Sequence, residues 1–460
     1  MKRIIALLMV MLALTSFVMA GGSSESKKAS ADSGKTVVNI WTNDRHDAEY
    51  FNTKVAEFNQ SHSDIEIKIT TVVEDYPNML VMGYSSGNAP DLFYMNAGGT
   101  GFDIQPFVNS GMLVPYPDSV LDDPEFSRVV EPRTHVYEGY NAVDGVQYTA
   151  FSVQRSGTRM IYNMDLLAKA GITELPTTLE ELVDDAKAVT AVGKGNFYGI
   201  ATCSSAQFER WLEGICNKSG AYHYDYVNGR FDFSSFAEPL KLAQRFFTDG
   251  SMFPGSNTQG VDAMRAQFAN GTFAIWGNAS QEAGVFTDQF PITDFEWAVG
   301  ELPSMDGTVK GAVIAKPQKG LFMFSSSKNQ DAAWEVVKYL NSEEFVKGYV
   351  EKGYALPLTE YMAGVVDMSK IGRLADFALV PYESMHPAVP SVTVAGDPYA
   401  VALWNVVVNG GDVDKVIAQL NTSYNEALDR DVKLGKVRRL VIKDFDPVHP
   451  GEGTIEYLDK

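Results

Sequence analysis

Gly83-Tyr84-Ser85-Ser86-Gly87 spells the G-x-S-x-G text that presents a nucleophilic serine on a sharp turn. That turn needs a strand leading in and a helix leading out. Here the order is reversed: a helical pattern precedes the serine, and Asn88-Ala89-Pro90 and then a strand pattern follow it. Gly87 reads as a helix stop, and a serine hydrolase is disfavoured. Gly98-Gly99-Thr100-Gly101 follows a strand pattern and looks like a dinucleotide loop, but Ile104 stands where the third glycine belongs. It reads instead as a loop that exposes backbone N–H groups. No G-x-x-x-x-G-K-[ST] phosphate loop occurs in the sequence.

His46, His62, His135, His223, His386 and His449 show no metal-ligand spacing, and two cysteines make no zinc site. Cys203 and Cys216 fit either a disulfide, contributing about 3 kcal/mol on the loop-closure argument, or two buried thiols. Acidic residues are plentiful enough to furnish the carboxylate pair of a glycosidase. The sequence singles out no such pair, and a solvated acidic surface accounts for them. No catalytic residue, metal or cofactor is assigned on these grounds.

Binding chemistry is better supplied. Aromatic residues make up 12% of the chain, with 6 Trp, 21 Tyr and 26 Phe, so position must decide which of them meet a ligand. Strand patterns at 37–41, 64–71 and 91–95 alternate with helical patterns at 47–60 and 75–85, the βαβ order of an α/β sheet. Ligands of such sheets bind beyond the carboxyl ends of the strands. Trp41, Asp44 and Arg45 follow the first strand and Asn96 ends the third, so these are candidate ligand contacts. Tyr76, before Pro77 at a helix start, is a stacking candidate that core packing would explain equally well. Strands at 159–163, 198–203, 272–275 and 295–300 repeat the alternation, with a Thr178/Glu181 capping box heading a long helix. Beyond 329 the pattern reads as almost entirely helical.

The chain has 460 residues, enough for two large domains or three smaller ones. Its 58 Asp and Glu against 38 Lys and Arg give a net charge of -20, the wrong sign for a protein that neutralises a phosphate backbone. Residues 1–20 have the basic start, apolar run and small-residue end of a secretory signal peptide, too short to span a bilayer. No cysteine adjoins that end, so lipid attachment is not expected. Residues 21–35 read as a flexible leader.

Several phrases together resemble one family. Ser86-Gly87-Asn88-Ala89-Pro90-Asp91-Leu92, Ile161-Tyr162-Asn163-Met164-Asp165-Leu166-Leu167 and Pro176-Thr177-Thr178-Leu179-Glu180-Glu181-Leu182 are similar to passages of the extracellular solute-binding proteins, family 1, of ABC sugar importers. So, in the same order, are Phe268 to Gly277, Ala333 to Leu340, and Gly353-Tyr354-Ala355-Leu356-Pro357. The resemblance implies a two-lobed α/β type II periplasmic binding protein fold with a ligand cleft between the lobes. It puts the first lobe at 36–150 plus 320–358 and the second at 151–315 plus 364–460. Crossovers fall near 148–153, 313–322 and 356–363, although the first lacks the proline often found there.

By the same likeness Trp276 sits on a cleft loop, and Phe151, Gln154 and Arg155 lie beside the first crossover. Lys319 and Gly320 lie at the second crossover, Tyr354 precedes the third, and Trp404 is a second-lobe aromatic. The implied function is non-enzymatic: capture of a carbohydrate, most simply an oligosaccharide, by hinge closure. The implied partners are ABC permease subunits, for an exported, periplasmic or extracellular monomer. The same fold binding a polyamine, phosphodiester or opine is the first alternative, and an exported glycoside hydrolase the second. A third role is docking to a sensory ectodomain.

Overall fold

The computed structural model describes residues 34–95, 104–131 and 139–458. The expected signal peptide at 1–20, most of the expected leader, Asn96, the loop at 98–101 and His135 lie outside the described residues. β1 (Thr36–Thr42), α1 (Ala48–Ser61), β2 (Ile65–Thr71), α2 (Tyr76–Ser86) and β3 (Leu92–Met95) follow one another as the alternation predicts. β1 turns Val38, Ile40 and Thr42 inward and pairs in parallel with β2 and β3. α1 covers this sheet with Tyr50, Phe51, Val55 and Phe58. α2 ends at Gly87, whose φ of 73° is the left-handed conformation of a helix stop. The Ser85 hydroxyl donates to the Val81 carbonyl one turn back, so this serine belongs to a helix and not to a nucleophile elbow.

The chain continues through β4 (Val153–Arg155), β5 (Arg159–Asn163), α3 (Leu179–Gly193), β6 (Tyr198–Ala201), α4 (Ser205–Lys218), β7 (Phe273–Asn278) and β8 (Trp297–Gly300). β9 (Lys316–Gln318), β10 (Gly320–Met323), α5 (Gln330–Leu340), α6 (Glu343–Glu351) and β11 (Leu356–Pro357) come next. α7 (Tyr399–Val408), α8 (Val413–Lys433), β12 (Leu440–Lys443) and β13 (Thr454–Tyr457) complete it. α3 starts on the expected capping box. Thr178 Oγ1 accepts from the Glu181 N–H at 3.1 Å, and Glu181 Oε2 accepts from the Thr178 N–H at 3.0 Å.

Two four-stranded sheets result. The first runs β10-β3-β1-β2, with the late strand β10 antiparallel to β3. The second runs β8-β5-β7-β6, in which only β7 and β6 are parallel. Both faces of β5 and β7 are covered, which is why their sequences read as unbroken apolar runs. Three further segments, β9, β4 and β11, pair as a small antiparallel sheet in the register Lys316↔Arg155 and Leu356↔Gln154. These are the stretches where the chain passes between the two large sheets.

The late residues are not a separate helical unit. Val336, Val337, Leu340, Phe345 and Val346 of α5 and α6 join the core of the first sheet. Leu403, Val407, Leu420 and Leu428 of α7 and α8 join that of the second. β12 and β13 form an antiparallel pair where an almost entirely helical tail was expected. The β-branched run Leu440-Val441-Ile442 was the available signal for a strand. Cys203 and Cys216 are both buried free thiols, which resolves the open choice between thiols and a disulfide.

Candidate functional site

The loop after β1 carries Asp44, His46 and Asp47, and its shape is set from a distance by one lysine. Lys319 stands between β9 and β10 at φ 61°, a left-handed conformation that a lysine adopts only where its surroundings hold it there. Its Nζ lies 2.7 Å from Asp44 Oδ2 and 2.6 Å from Asp47 Oδ2, and over the rings of Phe51 and Tyr94 at 5.0 and 5.2 Å. Asp47 Oδ2 also accepts from the Tyr349 hydroxyl at 2.8 Å. Asp44, His46 and Asp47 are close enough to offer three ligands to a metal ion. The lysine ammonium already occupies both carboxylates, so this cluster reads as a buried ion-pair network.

His46 sits against Tyr354, ring centroids 5.9 Å apart, and its side chain is 30% exposed. Burial still lowers its pKa, outweighing the pull of Asp47 and Asp44 in the other direction. Burial pushes the Asp44 carboxyl up, but the charges of Lys319, His46 and Arg155 outweigh it and hold the pKa below the usual range.

The second sheet contributes from the carboxyl ends of β6 and β7. Ser204 caps α4 by accepting from the Gln207 N–H at 3.2 Å. Gln207 is buried; its Oε1 accepts from the Cys203 N–H at 2.9 Å, and its Nε2 has no partner among the described residues. Arg210 is three residues further along the same helix, hence on the same face, and is exposed. Burial by surrounding protein, then the positive charge of Arg155, lower its pKa. After β7, Glu282 is fully buried and accepts from Arg265 Nε and Nη2, the shortest contact being 2.7 Å, and from Asn278 Nδ2 at 3.0 Å.

Arg155 closes β4 and links the two sides. Its positive charge is felt at Asp44, His46 and Arg210. His46, Arg155, Arg210 and Tyr354 all keep some exposure, while Asp44, Asp47 and Glu282 close by in sequence or space are held in ion pairs. Such a surface can hold a polar solute by hydrogen bonds and ring contacts.

The structure sorts the residues expected from sequence. Asp44 and Tyr354 both border His46, whose Nδ1 is 3.9 Å from Asp44 Oδ1 and whose ring centre is 5.9 Å from that of Tyr354. Trp41 is half-buried against α2, where a Cβ on Gly83 would come 3.3 Å from its ring, so the glycine makes room for it. Arg45 is exposed, and its carbonyl accepts from the Ala48 N–H at the head of α1.

Four expectations need correction. Trp276 lies within β7, which runs further than the expected strand, and it is fully buried against Phe268 and Phe286. Tyr76 is buried and donates its hydroxyl to the Tyr94 carbonyl at 3.0 Å. Phe151 is fully buried against Gly320. None of these three rings offers a face to a solute. Gln154 spends its amide on the Pro357 carbonyl at 2.8 Å, joining two crossover strands. Trp404 is half-buried between Phe208 and Phe247.

Sequence reasoning missed His46, Asp47, Arg210 and Glu282. The charged run Asp44-Arg45-His46-Asp47 was visible, and the strand-end rule applied to β6 would have led to Arg210. The Glu282–Arg265 pairing left no local signal.

The family model for bacterial extracellular solute-binding proteins matches residues 43–347. This chain belongs to that family. A Brucella abortus protein named only as a binding protein is 24% identical over 410 residues, covering 87% of this chain and 95% of its own. The arabinooligosaccharide-binding protein of Bacillus subtilis is 26% identical over 263 residues, 55% of this chain and 57% of that one. Among solved structures, the sugar-binding protein MalE of Xanthomonas citri superposes with a TM-score of 0.66 at 18% identity, over 87% of this chain and 99% of its own. The fold is therefore that of the two-lobed periplasmic binding proteins, with a cleft between the lobes. Among the described residues no helix is long and apolar enough to cross a membrane.

Proposed function

We propose that this solute-binding protein captures an oligosaccharide around His46, Arg155, Arg210 and Tyr354 and delivers it to the permease of an ABC importer. The observation that carries the reading is family membership across the two-sheet fold, with relatives named for arabinooligosaccharide and sugar binding. The half-exposed rings of Trp41 and Tyr354 beside polar groups suit a molecule with C–H faces and hydroxyl edges. The lobes are 36–150 plus 320–358 and 151–315 plus 364–460, and the small crossover sheet is the hinge. Closure is favoured because a bound solute touches both sides only in the closed form.

The protein acts as a monomer without catalysis, after export and removal of residues 1–20. Binding is tested by thermal shift and small-angle scattering of the purified chain against a panel of neutral and charged oligosaccharides. One member should raise Tm and compact the particle. A panel that does neither removes the carbohydrate assignment, and product release from any member removes the non-catalytic one.

A further inference from the structure

The chain takes an indirect third route between the lobes. After β11 it returns to the first lobe as the short helix Glu360–Val365. The Tyr361 hydroxyl of that helix donates to the Glu343 carboxylate, and the Arg128 guanidinium lies 5.3 Å from the Tyr361 ring centre. A 3₁₀ segment follows, Met368–Phe377, bent at Gly372. Its start is held by α6: Glu351 Oε1 accepts from the Asp367 N–H and Glu351 Oε2 from Lys370 Nζ, both at 3.0 Å. A Cβ on Gly353 would stand 3.4 Å from the Ile371 carbonyl oxygen, so the first lobe is still alongside there. The second half is held by the other lobe. Arg373 Nη2 donates to the Trp297 carbonyl at 2.9 Å, and the guanidinium carbon stands 3.8 Å from the Trp297 ring centre. One residue past the segment, the Ala378 carbonyl accepts from Arg159 Nη2 at 2.9 Å.

Gly372 separates these two halves. Its φ of 57° and ψ of -136° are a conformation that glycine alone adopts without strain. Packing does not demand a glycine, since a Cβ here would meet no atom within 4 Å. The backbone angle alone demands it. In β4 and β9 a ladder of backbone pairing spreads any bend over several residues. At Gly372 two pieces, each fixed to a different lobe, meet at one permissive residue with open space around it. Relative motion of lobes is absorbed at just such a few torsions.

We infer that Gly372 is the joint of the third passage, and that the first lobe runs on to residue 371. The lobes then turn about the small crossover sheet and this one residue together. This rests on the two-lobed, hinge-closing reading above and moves its last boundary to 372.

The test is double electron–electron resonance on the solute-free full chain, spin-labelled at Ser85→Cys in α2 and Glu426→Cys in α8, exposed positions on opposite lobes. A within-lobe pair, Gln60→Cys with Ser85→Cys, reports distortion of the first lobe itself. Both native cysteines are buried. Gly372→Ala should shift the mean interlobe distance and leave the within-lobe distance unchanged. Gly410→Ala is the control: its φ is also positive, 66°, with no atom within 4 Å of a Cβ, but it follows the end of α7 inside the second lobe. It should lower Tm much as Gly372→Ala does and leave the interlobe distance where it was. Arg373→Ala frees the second half from Trp297 and should broaden the interlobe distribution, which keeps the joint testable where Gly372→Ala does not fold. An interlobe mean unmoved by Gly372→Ala, or moved equally by Gly410→Ala, overturns the joint and leaves hinge closure standing. With no folded Gly372→Ala protein, a distribution unchanged by Arg373→Ala does the same. An interlobe distribution no broader than the within-lobe one, and unmoved in every variant, overturns hinge closure and this inference with it.

Discussion

Arg155 and Arg159 lie one turn of phrase apart in the sequence and have opposite fates. Arg159, in β5, is buried and bidentate to Glu383 at 3.0 and 2.7 Å, and it also donates to the Ala378 carbonyl at 2.9 Å. Glu383 accepts in addition from the backbone N–H groups of Gly157 and Val380. Arg155, in β4, is half-exposed and makes no side-chain bond among the described residues. The first ties the 378–384 segment to the second sheet and is part of what makes the fold. The second adds nothing to the fold that a neutral residue would not. A buried charge that the fold pairs marks architecture, whereas a half-exposed one without a protein partner among the described residues is left to water or to a solute.

The sharpest break of this contrast is Arg159→Met. It leaves the Glu383 carboxylate buried without its cation and should cost about 3–5 kcal/mol in urea unfolding. If Arg159→Met proved neutral, the architectural role given to this pair would be wrong. Lys319→Met is the next largest, at about 2–3 kcal/mol near neutral pH, because Asp47 is buried and Asp44 is partly so. The Asp44 pKa is lowered in the folded state, so its share of stability is present above the unfolded carboxylate pKa and lost as pH falls through the folded one. The penalty of Lys319→Met should therefore shrink on acidification, as equilibrium melts at pH 7 and pH 3 would show.

Glu131 offers a third, pH-gated comparison, a buried carboxyl with no ion-pair partner among the described residues. Burial pushes its pKa up from 4.5 to about 8, against the opposing pull of bonds from Asn141 Nδ2 and a backbone N–H. The folded state holds a proton that the unfolded state releases, so stability falls as pH rises from about 4.5 through 8. Glu131→Gln should gain about 1–3 kcal/mol over the parent at pH 9 and nothing at pH 4, read from paired thermal melts. The smallest effect closes the series. Arg155→Met should change stability by no more than about 0.5 kcal/mol. A loss approaching that of Arg159→Met would erase the distinction between the two arginines.

Legibility followed the same division. The first sheet and α1 to α3 could be read because their periodicity and caps are local, down to the Thr178–Glu181 box and the Gly87 stop. The mixed second sheet could not, since strand direction depends on partners far along the chain. The strand pair at 440–457 was hidden by its shortness within a helical context. The strand-end rule could reach Asp44, because the loop that carries it is contiguous with β1. Trp276 failed because an apolar strand that continues past its expected end swallows the residue meant for the loop. Lys319 looked like a ligand contact from its place at a crossover. Only the folded chain brings it to Asp44 and Asp47, which use up its ammonium.

The edge strand β10 has one more consequence, in the order of assembly. It pairs with β3, yet it is synthesised only after every strand of the second sheet. The first lobe therefore lacks an edge strand and the α5 and α6 cover of its core until about three-quarters of the polypeptide has emerged, more than about twice the length of an ordinary domain. Pairing so remote in sequence closes late, because the loop entropy must be met before any contact forms. An amino-terminal fragment of this chain should stay loosely structured and receptive to chaperones, which would suit the export proposed above.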